Sequence, residues 1–310
     1  MISEFKNIIK NDDPSIDILL DMYCKGNVSS DAFLYYIDNR KLIDGQNYNK
    51  LQQLIDKQMV YSKKQNKIEP LISVIIPTYN RKDMLLKAVH SVLNQNYINC
   101  EIIIINDCSM DGTEEVLQKL FKHLTNIKIL NNSTNKNAGY NRNLGYNEAN
   151  GDYIIFLDDD DYYLDNDFFA KAIFQHINQN NLSFVASNAY VKNIMDNTIE
   201  INNLNISGRI ACDDYLKNFQ TRYKKPLSTF TAVFKKTILD ELDFKNMLMM
   251  NDSSIYLRAL LLGDVYIIDD IIGVYVVHGN NISSNLKADF IIKNLEEKVW
   301  VFNEAKKKHI

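Results

Sequence analysis

The sequence predicts an α/β protein whose mostly parallel sheet is flanked by helices. Two observations support this fold class. Short apolar runs rich in β-branched residues alternate with segments in which apolar residues recur at helical spacing, and this alternation implies right-handed crossovers between parallel strands. A row of four aspartates, residues 158–161, directly follows the apolar run at residues 153–157 and marks the end of a buried strand.

The elements of the first half follow one another in regular order. Apolar runs predict strands at residues 71–76, 102–105, 127–130 and 153–157. Apolar residues at helical spacing predict helices between these strands, at residues 84–93, 116–124 (with Asp111 or Thr113 near its start) and 141–149. Beyond residue 161 the alternation loosens, and the same signals predict helices at residues 168–177 and 254–262 and strands at residues 183–191, 229–234, 265–268 and 273–277.

The two ends of the chain differ from this central region. Residues 1–66 carry short helical patterns, and the polar stretch at residues 62–67 is typical of a linker. We therefore predict a small helical N-terminal extension over residues 1–66, a main domain over residues 67–285 and an amphipathic C-terminal helix over residues 286–310. Both end segments are candidates for dimerisation, partner docking or membrane-surface association; the alternative is that they only pack on the main domain.

The composition excludes several classes of protein. A hydrophobic fraction of 46% over 310 residues supports a packed core and excludes wholesale disorder. A net charge of −4 argues against nucleic acid as a partner. The 4 cysteines have no metal-site spacing, no signal peptide is visible, and no apolar stretch approaches the roughly 20 residues that span a bilayer. We expect a cytoplasmic protein with reduced thiols and no transmembrane segment.

The aspartate row predicts a cation site. Clustered carboxylates repel one another, and oxygen ligands favour Mg²⁺ or Mn²⁺, which leave positions open for substrate phosphates. The sequence has neither a G-x-G-x-x-G turn nor a P-loop, so a metal clamp is the remaining common way to hold a diphosphate. The alternative interpretation is a solvated acidic loop, because aspartate is common where strands end.

Three predicted strand ends meet at one edge of the sheet. They are the segments at residues 77–81, 106–113 and 158–161, and ligand sites in open parallel sheets form beyond this edge. Tyr79 and Asp107 suit a flat base, since one can stack on it and the other can accept its imino hydrogen. Taken singly, Tyr79 is also explained as a loop aromatic and Asp107 as a strand-end turn residue.

Four segments resemble family 2 glycosyltransferases in order and in spacing. They cover residues 74–81, 106–113, 141–145 and 151–161, and the resemblance extends over roughly residues 70–285. It implies the GT-A fold, with a nucleotide-binding half at about 70–165 and an acceptor half at about 166–285. It also implies inversion at the anomeric carbon and a nucleotide-sugar donor, most often a UDP-sugar. The Gln-x-x-Arg-Trp segment of processive members is absent from this sequence, so single additions are expected.

The resemblance also implies a role for each matching residue. The base pocket is lined by Thr78 and Tyr79, Asp107 bonds the base, Asp158 faces the ribose or the metal, and Asp160 is the main metal contact. The full nucleotide-binding set implied in this way is Pro77, Thr78, Tyr79, Asp107, Arg142, Asp158 and Asp159, and the metal-binding set is Asp160, Asp161 and His278. For Arg142, an exposed position on the surface of a helix is an equal alternative.

Asp252 is the candidate general base. Displacement at an anomeric carbon needs a group that deprotonates the acceptor hydroxyl, and the segment at residues 251–258 resembles the family's acidic pair followed by a helix with an arginine. Asn251 stands where the family usually has glutamate, and Asp252 is alternatively a helix N-cap. His278 resembles a late family histidine that completes the metal or diphosphate site, although Val276 stands where arginine is common.

Together these features predict an inverting glycosyltransferase that uses Mn²⁺ or Mg²⁺ and a UDP-sugar. The expected acceptor is a glycan, a lipid-linked glycan or a glycoprotein of surface polysaccharide or glycoconjugate synthesis, reached at the inner face of the membrane. Two alternatives remain at this point. One is a catalytically inactive nucleotide-sugar-binding or scaffold relative, and the other is a nucleotidyltransferase of similar fold. A homo-oligomer is compatible with either end segment.

Overall fold

The structure is a computed structural model that describes residues 69–247, 250–279 and 288–308, together with positions 9, 20, 23, 33, 34, 37, 43 and 47–53. The chain divides into two compact units, one of residues 1–69 with 120–125 and one of residues 70–119 with 126–310. The expected linker at residues 62–67 lies outside the described residues. None of the described helices is both long enough and apolar enough to cross a membrane.

The first unit has a small apolar cluster of its own. Its described positions are helical at residues 9, 20, 23, 33, 34, 37 and 47–53. Tyr23 stacks on Phe33, with 4.5 Å between the ring centroids. The buried side chains that form the cluster are Ile9, Leu20, Phe33, Leu34, Ile37 and Leu51.

The second unit contains one large sheet and its flanking helices. The strands are β1 (Ile72–Thr78), β2 (Cys100–Asn106), β3 (Ile127–Asn131), β4 (Tyr153–Phe156), β5 (Tyr162–Tyr163), β6 (Leu182–Asn193), β7 (Thr198–Asn202), β8 (Gly208–Ile210), β9 (Ala232–Lys235) and β10 (Asp264–Val277). The α-helices are α1 (Lys82–Leu93), α2 (Thr113–Phe121), α3 (Ala138–Glu148), α4 (Phe168–Asn178), α5 (Cys212–Lys217), α6 (Lys236–Glu241), α7 (Asp252–Ala259) and α8 (Ala288–Lys307).

The strand order places three loops at one edge of the sheet. Along the sheet the order is β3-β2-β1-β4-β9-β6-β10-β5. Strands β1 to β4 pair in parallel, with Thr78 opposite Asn106 and Ile75 opposite Phe156. Strand β9 runs antiparallel to β4 and β6, while β6 and β10 are parallel. The loops that follow β1, β2 and β4 therefore leave the sheet side by side.

Helix α3 lies close against β1 and β2 because it has a glycine at the contact. A Cβ atom on Gly145 would lie 2.4 Å from Ile75 Cγ2 and 2.9 Å from Ile105 Cδ1. The helix begins at Asn137, whose side chain accepts the Tyr140 N–H at 3.2 Å, a common N-cap arrangement. This close packing fixes where Arg142, on the same helix, lies relative to the strand ends.

One apolar core joins the two halves of this unit. It runs from the first strands through β4 and β9 to helix α7, and its members include Ile105, Tyr146, Phe156, Phe234 and Tyr256. The ring centroids of Tyr256 and Phe234 lie 5.2 Å apart, an aromatic contact distance. The start of α7 is therefore held by the same core that holds β4.

The α/β class with flanking helices is confirmed, and the second half of the sheet differs in detail. The strands expected at residues 265–268 and 273–277 form a single strand, β10, with register shifts against β6 around Ile271. The stretch expected as a strand at residues 229–234 begins as a 3₁₀ turn, Thr229–Thr231, before β9. The short elements β5, β7, β8, α5 and α6 were not predicted, because elements of two to six residues carry too little periodicity.

Gly145→Ala tests the packing of α3 on the sheet. The added methyl group would force Ile75 or the helix to move, and overpacking of a core typically costs about 1–3 kcal/mol. We expect the free energy of unfolding, measured in urea, to fall by this amount. Gly139→Ala on the same helix is the matched control, because its Cβ would meet only ordinary contacts of 3.5 Å or more. Equal stability of the two variants would contradict the close packing.

Candidate active site

The loops after β1 and β2 are bonded to each other. The Asn80 N–H donates to Ser109 Oγ at 2.9 Å, and the Met110 N–H donates to Asn80 Oδ1 at 2.7 Å. Asn80 adopts a left-handed backbone with φ of 52°, which asparagine tolerates better than most residues. Asp111 Oδ2 accepts the Lys82 N–H at 3.0 Å and so joins the second loop to the start of α1. The two loops thus form one continuous rim.

The residues expected at the base pocket lie on this rim. Pro77 and Thr78 are buried at the end of β1, and the Asp107 N–H donates to the Thr78 carbonyl at 2.9 Å. Tyr79 is the next residue of the loop and has 47% of its surface exposed. The structure therefore brings Tyr79 and Asp107 onto adjacent strand ends and leaves the tyrosine accessible to a ligand.

Asp107 also supports the loop before α3. Its Oδ1 accepts from Asn132 Nδ2 at 2.8 Å and from the Lys136 N–H at 2.9 Å, and its Oδ2 accepts the Asn137 N–H at 3.0 Å. No local pattern in the sequence indicates these contacts. A carboxylate oxygen can accept two hydrogen bonds, so Oδ2 retains capacity for a ligand donor. The base contact stays a prediction beside this structural role.

Asp159 and Asp160 share one arginine. Arg81 Nη1 lies 3.0 Å from Asp159 Oδ1 and 2.9 Å from Asp160 Oδ2, and Thr78 Oγ1 donates to Asp159 Oδ2 at 2.7 Å. Burial raises the pKa of Asp159 to about 7 even though Arg81 opposes the shift. Burial and the charge of Asp158 raise the pKa of Asp160 as well. Arg81 lies within the segment that resembles the family, yet its contacts with the two aspartates were not predicted.

Asp160 also contacts His278. Its Oδ2 lies 2.8 Å from His278 Nε2, so the late histidine does reach the aspartate row from the end of β10. Among the described residues, no group of three or more histidine, cysteine, aspartate and glutamate side chains forms a closed metal site. An ion such as Mg²⁺ typically uses one or two carboxylates and completes its shell with substrate phosphates and water. The donor set of Asp160 and His278 fits an open site of this kind.

Asp161 bonds to the backbone of strand β10, a contact that was not predicted. It is buried, and its Oδ1 accepts the Val276 N–H of β10 at 3.0 Å. Burial and the nearby charges of Asp160 and Asp158 raise its pKa well above the ordinary value. This geometry attaches β10 to the aspartate row through Oδ1, while Oδ2 is buried and has no hydrogen-bond partner among the described residues. The metal contact that the resemblance implied for Asp161 stays a prediction.

Arg142 joins the aspartate row to the candidate base. Its Nη2 donates to Asp158 Oδ1 at 2.6 Å, and its Nη1 donates to the Met250 carbonyl at 3.0 Å and lies 3.3 Å from Asp252 Oδ1. Burial alone would lower the pKa of Arg142, but the carboxylates of Asp158 and Asp252 outweigh burial and raise it. Arg142 is buried, so the alternative of an exposed helix position is wrong.

Asp252 is not the cap of α7. The cap is Asn251, whose side chain accepts the Ser254 N–H at 3.0 Å, and Asp252 is the first residue of the helix. Asparagine is a favoured N-cap, which gives a physical reason for Asn251 where the family usually has glutamate. The Asp252 side chain is 26% exposed and is thus accessible to an acceptor.

Lys225 is a second residue that the sequence did not indicate. Its Nζ donates to the carbonyls of Pro226 and Leu227 at 2.7 Å and 3.0 Å. Burial lowers its pKa, and the charge of Asp252 opposes this shift, which places the ammonium group near the candidate base. No short motif in the sequence marks Lys225, so the sequence analysis could not single it out.

Comparison with known proteins settles the family. The family model described as "Glycosyl transferase family 2" matches residues 73–261, which is more than half of the chain. The chain belongs to glycosyltransferase family 2. This membership confirms the predicted family and supports a glycosyltransferase over a nucleotidyltransferase.

Relatives in family 2 come from several bacteria. TuaG of Bacillus subtilis, named for teichuronic acid biosynthesis, is 28% identical over 70% of this chain and 83% of its own length. The GalNAc(5)-diNAcBac-PP-undecaprenol beta-1,3-glucosyltransferase of Campylobacter jejuni is 30% identical over 61% of this chain and 59% of its own length. TarS of S. aureus, solved with UDP-GlcNAc, superposes with a TM-score of 0.60 at 19% identity over 76% of this chain and 66% of that one. The last likeness confirms the GT-A fold.

Asp107→Ala tests the structural role of this carboxylate. The change would leave the backbone donors of Lys136 and Asn137 without their acceptor and would remove one of the two acceptors of Asn132 Nδ2. A donor left unpaired in a buried place costs about 1–3 kcal/mol, and these part-buried donors should cost less than that each. We expect the urea midpoint to fall with little change in the slope. Asp83→Ala, at an exposed position of α1, serves as the control and should shift the midpoint far less. Equal midpoints would argue that Asp107 acts on ligand alone.

Proposed function

We propose that this chain transfers a sugar from a UDP-sugar to an acceptor hydroxyl with inversion at the anomeric carbon. The observation that carries the proposal is the contact of Arg142 with both Asp158 and Asp252. One buried guanidinium thereby connects the end of β4, where the nucleotide-binding carboxylates lie, with the start of α7, where the base lies. An inverting transfer needs both groups at one reacting centre, on opposite faces of the sugar.

The donor half supports a uridine nucleotide. Tyr79 provides an exposed ring for stacking, and Asp107 follows on the adjacent strand with acceptor capacity at Oδ2. An acceptor at this position suits a base with an imino hydrogen, and uracil has one. The TarS neighbour was solved with UDP-GlcNAc, which agrees with this choice of donor.

The diphosphate would lie at the aspartate row. Asp160 and His278 are the residues that would hold Mg²⁺ or Mn²⁺ there, and such an ion, when bound, neutralises charge on the leaving diphosphate. Arg81 keeps Asp159 and Asp160 in position from the protein side. Thr78 fixes Asp159 further, so the row has a defined orientation before any ligand arrives.

Asp252 would take the proton of the acceptor hydroxyl. Its side chain is partly accessible, and Arg142 restrains it at 3.3 Å from one side. The nearby Lys225 adds a second cation, whose bonds to the Pro226 and Leu227 carbonyls hold it in the acceptor half. We assign Arg142 as a positioning residue, because it contacts the base and Asp158 while its own pKa is too high for proton transfer.

A lipid-linked glycan is the proposed acceptor class. The Campylobacter jejuni relative is named for an acceptor carried on undecaprenol diphosphate. By analogy with this relative, the chain would act in surface polysaccharide or glycoconjugate synthesis, at the cytoplasmic face of a membrane. The test is transfer from a panel of UDP-sugars to glycosyl diphosphate acceptors with Mn²⁺, together with calorimetry of UDP binding. The proposal would be overturned if the protein neither transferred sugar, nor hydrolysed the donor, nor bound UDP. Binding of UDP without transfer or hydrolysis would identify the chain as a non-catalytic relative.

Asp252→Asn should remove most of the transfer activity. General-base catalysis typically contributes about 10²–10⁴-fold, so we expect kcat to fall by roughly that factor. The affinity for UDP should stay within about twofold, because the affected group is on the acceptor side. Asp213→Asn, at an exposed position in α5, is the matched control and should keep full activity. An active Asp252→Asn enzyme would show that another residue is the base.

Arg142→Lys tests whether the arginine acts through Asp252. A lysine ammonium cannot reproduce the planar fork that reaches Asp158 and Asp252 at once. We expect kcat to fall at least tenfold, roughly the effect of a lost charge-assisted hydrogen bond. In the double variant with Asp252→Asn, kcat should be no lower than in Asp252→Asn alone. Multiplicative losses in the double variant would mean that Arg142 acts independently of the base.

A further inference from the structure

Helix α8 carries an apolar stripe that the rest of the described structure does not cover. Ile291, Ile292, Leu295, Val299 and Phe302 are between 46% and 58% exposed. Ile291 and Ile292 are adjacent and the other three follow at intervals of three or four residues, which places all five on one face of the helix over about three turns. Isolated exposed apolar residues are ordinary, but a continuous row of them marks an interaction surface.

The opposite face of α8 holds the helix firmly on the acceptor half. Glu297 is buried and pairs with Arg258 of α7, and the Arg258 guanidinium lies 3.8 Å from the Trp300 ring centroid. Val301 and Ala305 enter an apolar cluster with Ile238, Leu242 and Leu261. The stripe is therefore the outer side of a well-packed helix, so its exposure does not come from a loose terminus.

This attachment connects the stripe to the candidate base. Arg258 lies in the last turn of α7, and Asp252 is the first residue of the same helix. A surface that contacts the stripe would therefore lie on the acceptor side of the molecule. The position matches the need of an enzyme whose acceptor is fixed in a membrane.

The charges beside the stripe are mainly positive. Between residues 295 and 308 the exposed charged residues are Lys298, Lys306, Lys307, Lys308 and Glu296, and the partly buried Glu304 pairs with Lys307 at 2.6 Å. Lys306 Nζ lies 4.4 Å from the Phe302 ring centroid, so its aliphatic stem runs beside the stripe. The whole chain has a net charge of −4, so this basic end contrasts with the average surface.

We propose that the stripe of α8 inserts into the interfacial layer of an anionic lipid bilayer. An apolar row enters the acyl boundary while the neighbouring lysines meet lipid phosphates. A second copy fits less well, because two stripes packed face to face would bring the same basic residues, Lys298 and Lys306 among them, from both copies to one interface. Membrane binding would bring Asp252 to a lipid-linked acceptor, and in this respect the inference rests on the proposed function.

Vesicle binding tests the surface without any substrate. The purified full chain should sediment with vesicles that contain phosphatidylglycerol and much less with phosphatidylcholine vesicles, and added salt should weaken binding. Leu295→Glu and Val299→Glu should each lower vesicle affinity by about tenfold or more. Each change removes an apolar side chain that the bilayer would bury and adds a negative charge that anionic lipids repel. Phe174→Glu is the matched control, since Phe174 is 62% exposed and lies on a different helix, α4.

Transfer assays separate this inference from the proposed function. With a water-soluble glycosyl diphosphate, Leu295→Glu should match the wild-type rate, whereas with the lipid-linked acceptor in anionic vesicles its rate should fall. Vesicle binding without any transfer would support the membrane-binding role of the stripe and contradict the proposed function. If the wild-type chain transfers sugar but does not bind anionic vesicles, the proposal that the stripe binds a membrane is wrong. Light scattering would assign the stripe to self-association if the wild-type chain is a dimer that does not bind vesicles and the Leu295→Glu variant is a monomer.

Discussion

The site depends on one buried guanidinium, that of Arg142, between carboxylates from two parts of the chain. A buried charge without partners is strongly unfavourable, and removal of one partner commonly destabilises a protein by several kcal/mol. Arginine suits this place because its planar fork can satisfy Asp158 and Asp252 through separate nitrogens. The folded state is therefore compatible with few positions of α7 relative to β4, and the spacing of the two carboxylates is built in before any ligand binds.

Some residues of the aspartate row bond to other elements of the fold, and others face the groups of the candidate site. Asp159 and Asp161 are buried and bond to other elements, one to Thr78 and Arg81 and the other to the backbone of β10. The side chain of Asp158 is 30% exposed and faces Arg142, and Asp160 meets His278. Two of the four residues thus attach the row to the fold, and this explains why a cluster of like charges can persist at a strand end.

The sequence was sufficient for the first half of the fold and for the aspartate row that the candidate site is built on, because the signals there are local, but it did not indicate Arg81 or Lys225. Buried parallel strands give uninterrupted apolar runs, and the aspartates follow directly along the chain. The contacts between site residues left no local signal: Arg142 and Asp252 are 110 positions apart, and Asp161 and Val276 are 115 apart. Likewise Asp269 and Asp270 interrupt the apolar pattern of β10, so one irregular strand resembled two short ones in the sequence.

The pairing of Arg258 with Glu297 has a consequence for shortened forms of this protein. Removal of the last helix would leave the arginine of α7 inside an apolar cluster with its cation–π and carboxylate partners gone. That loss would fall on the helix whose first residue is Asp252. Removal of residues 288–307 would thus disturb the start of α7 although none of the contacts described for α8 reaches Asp252, and α8 is an integral part of the second unit.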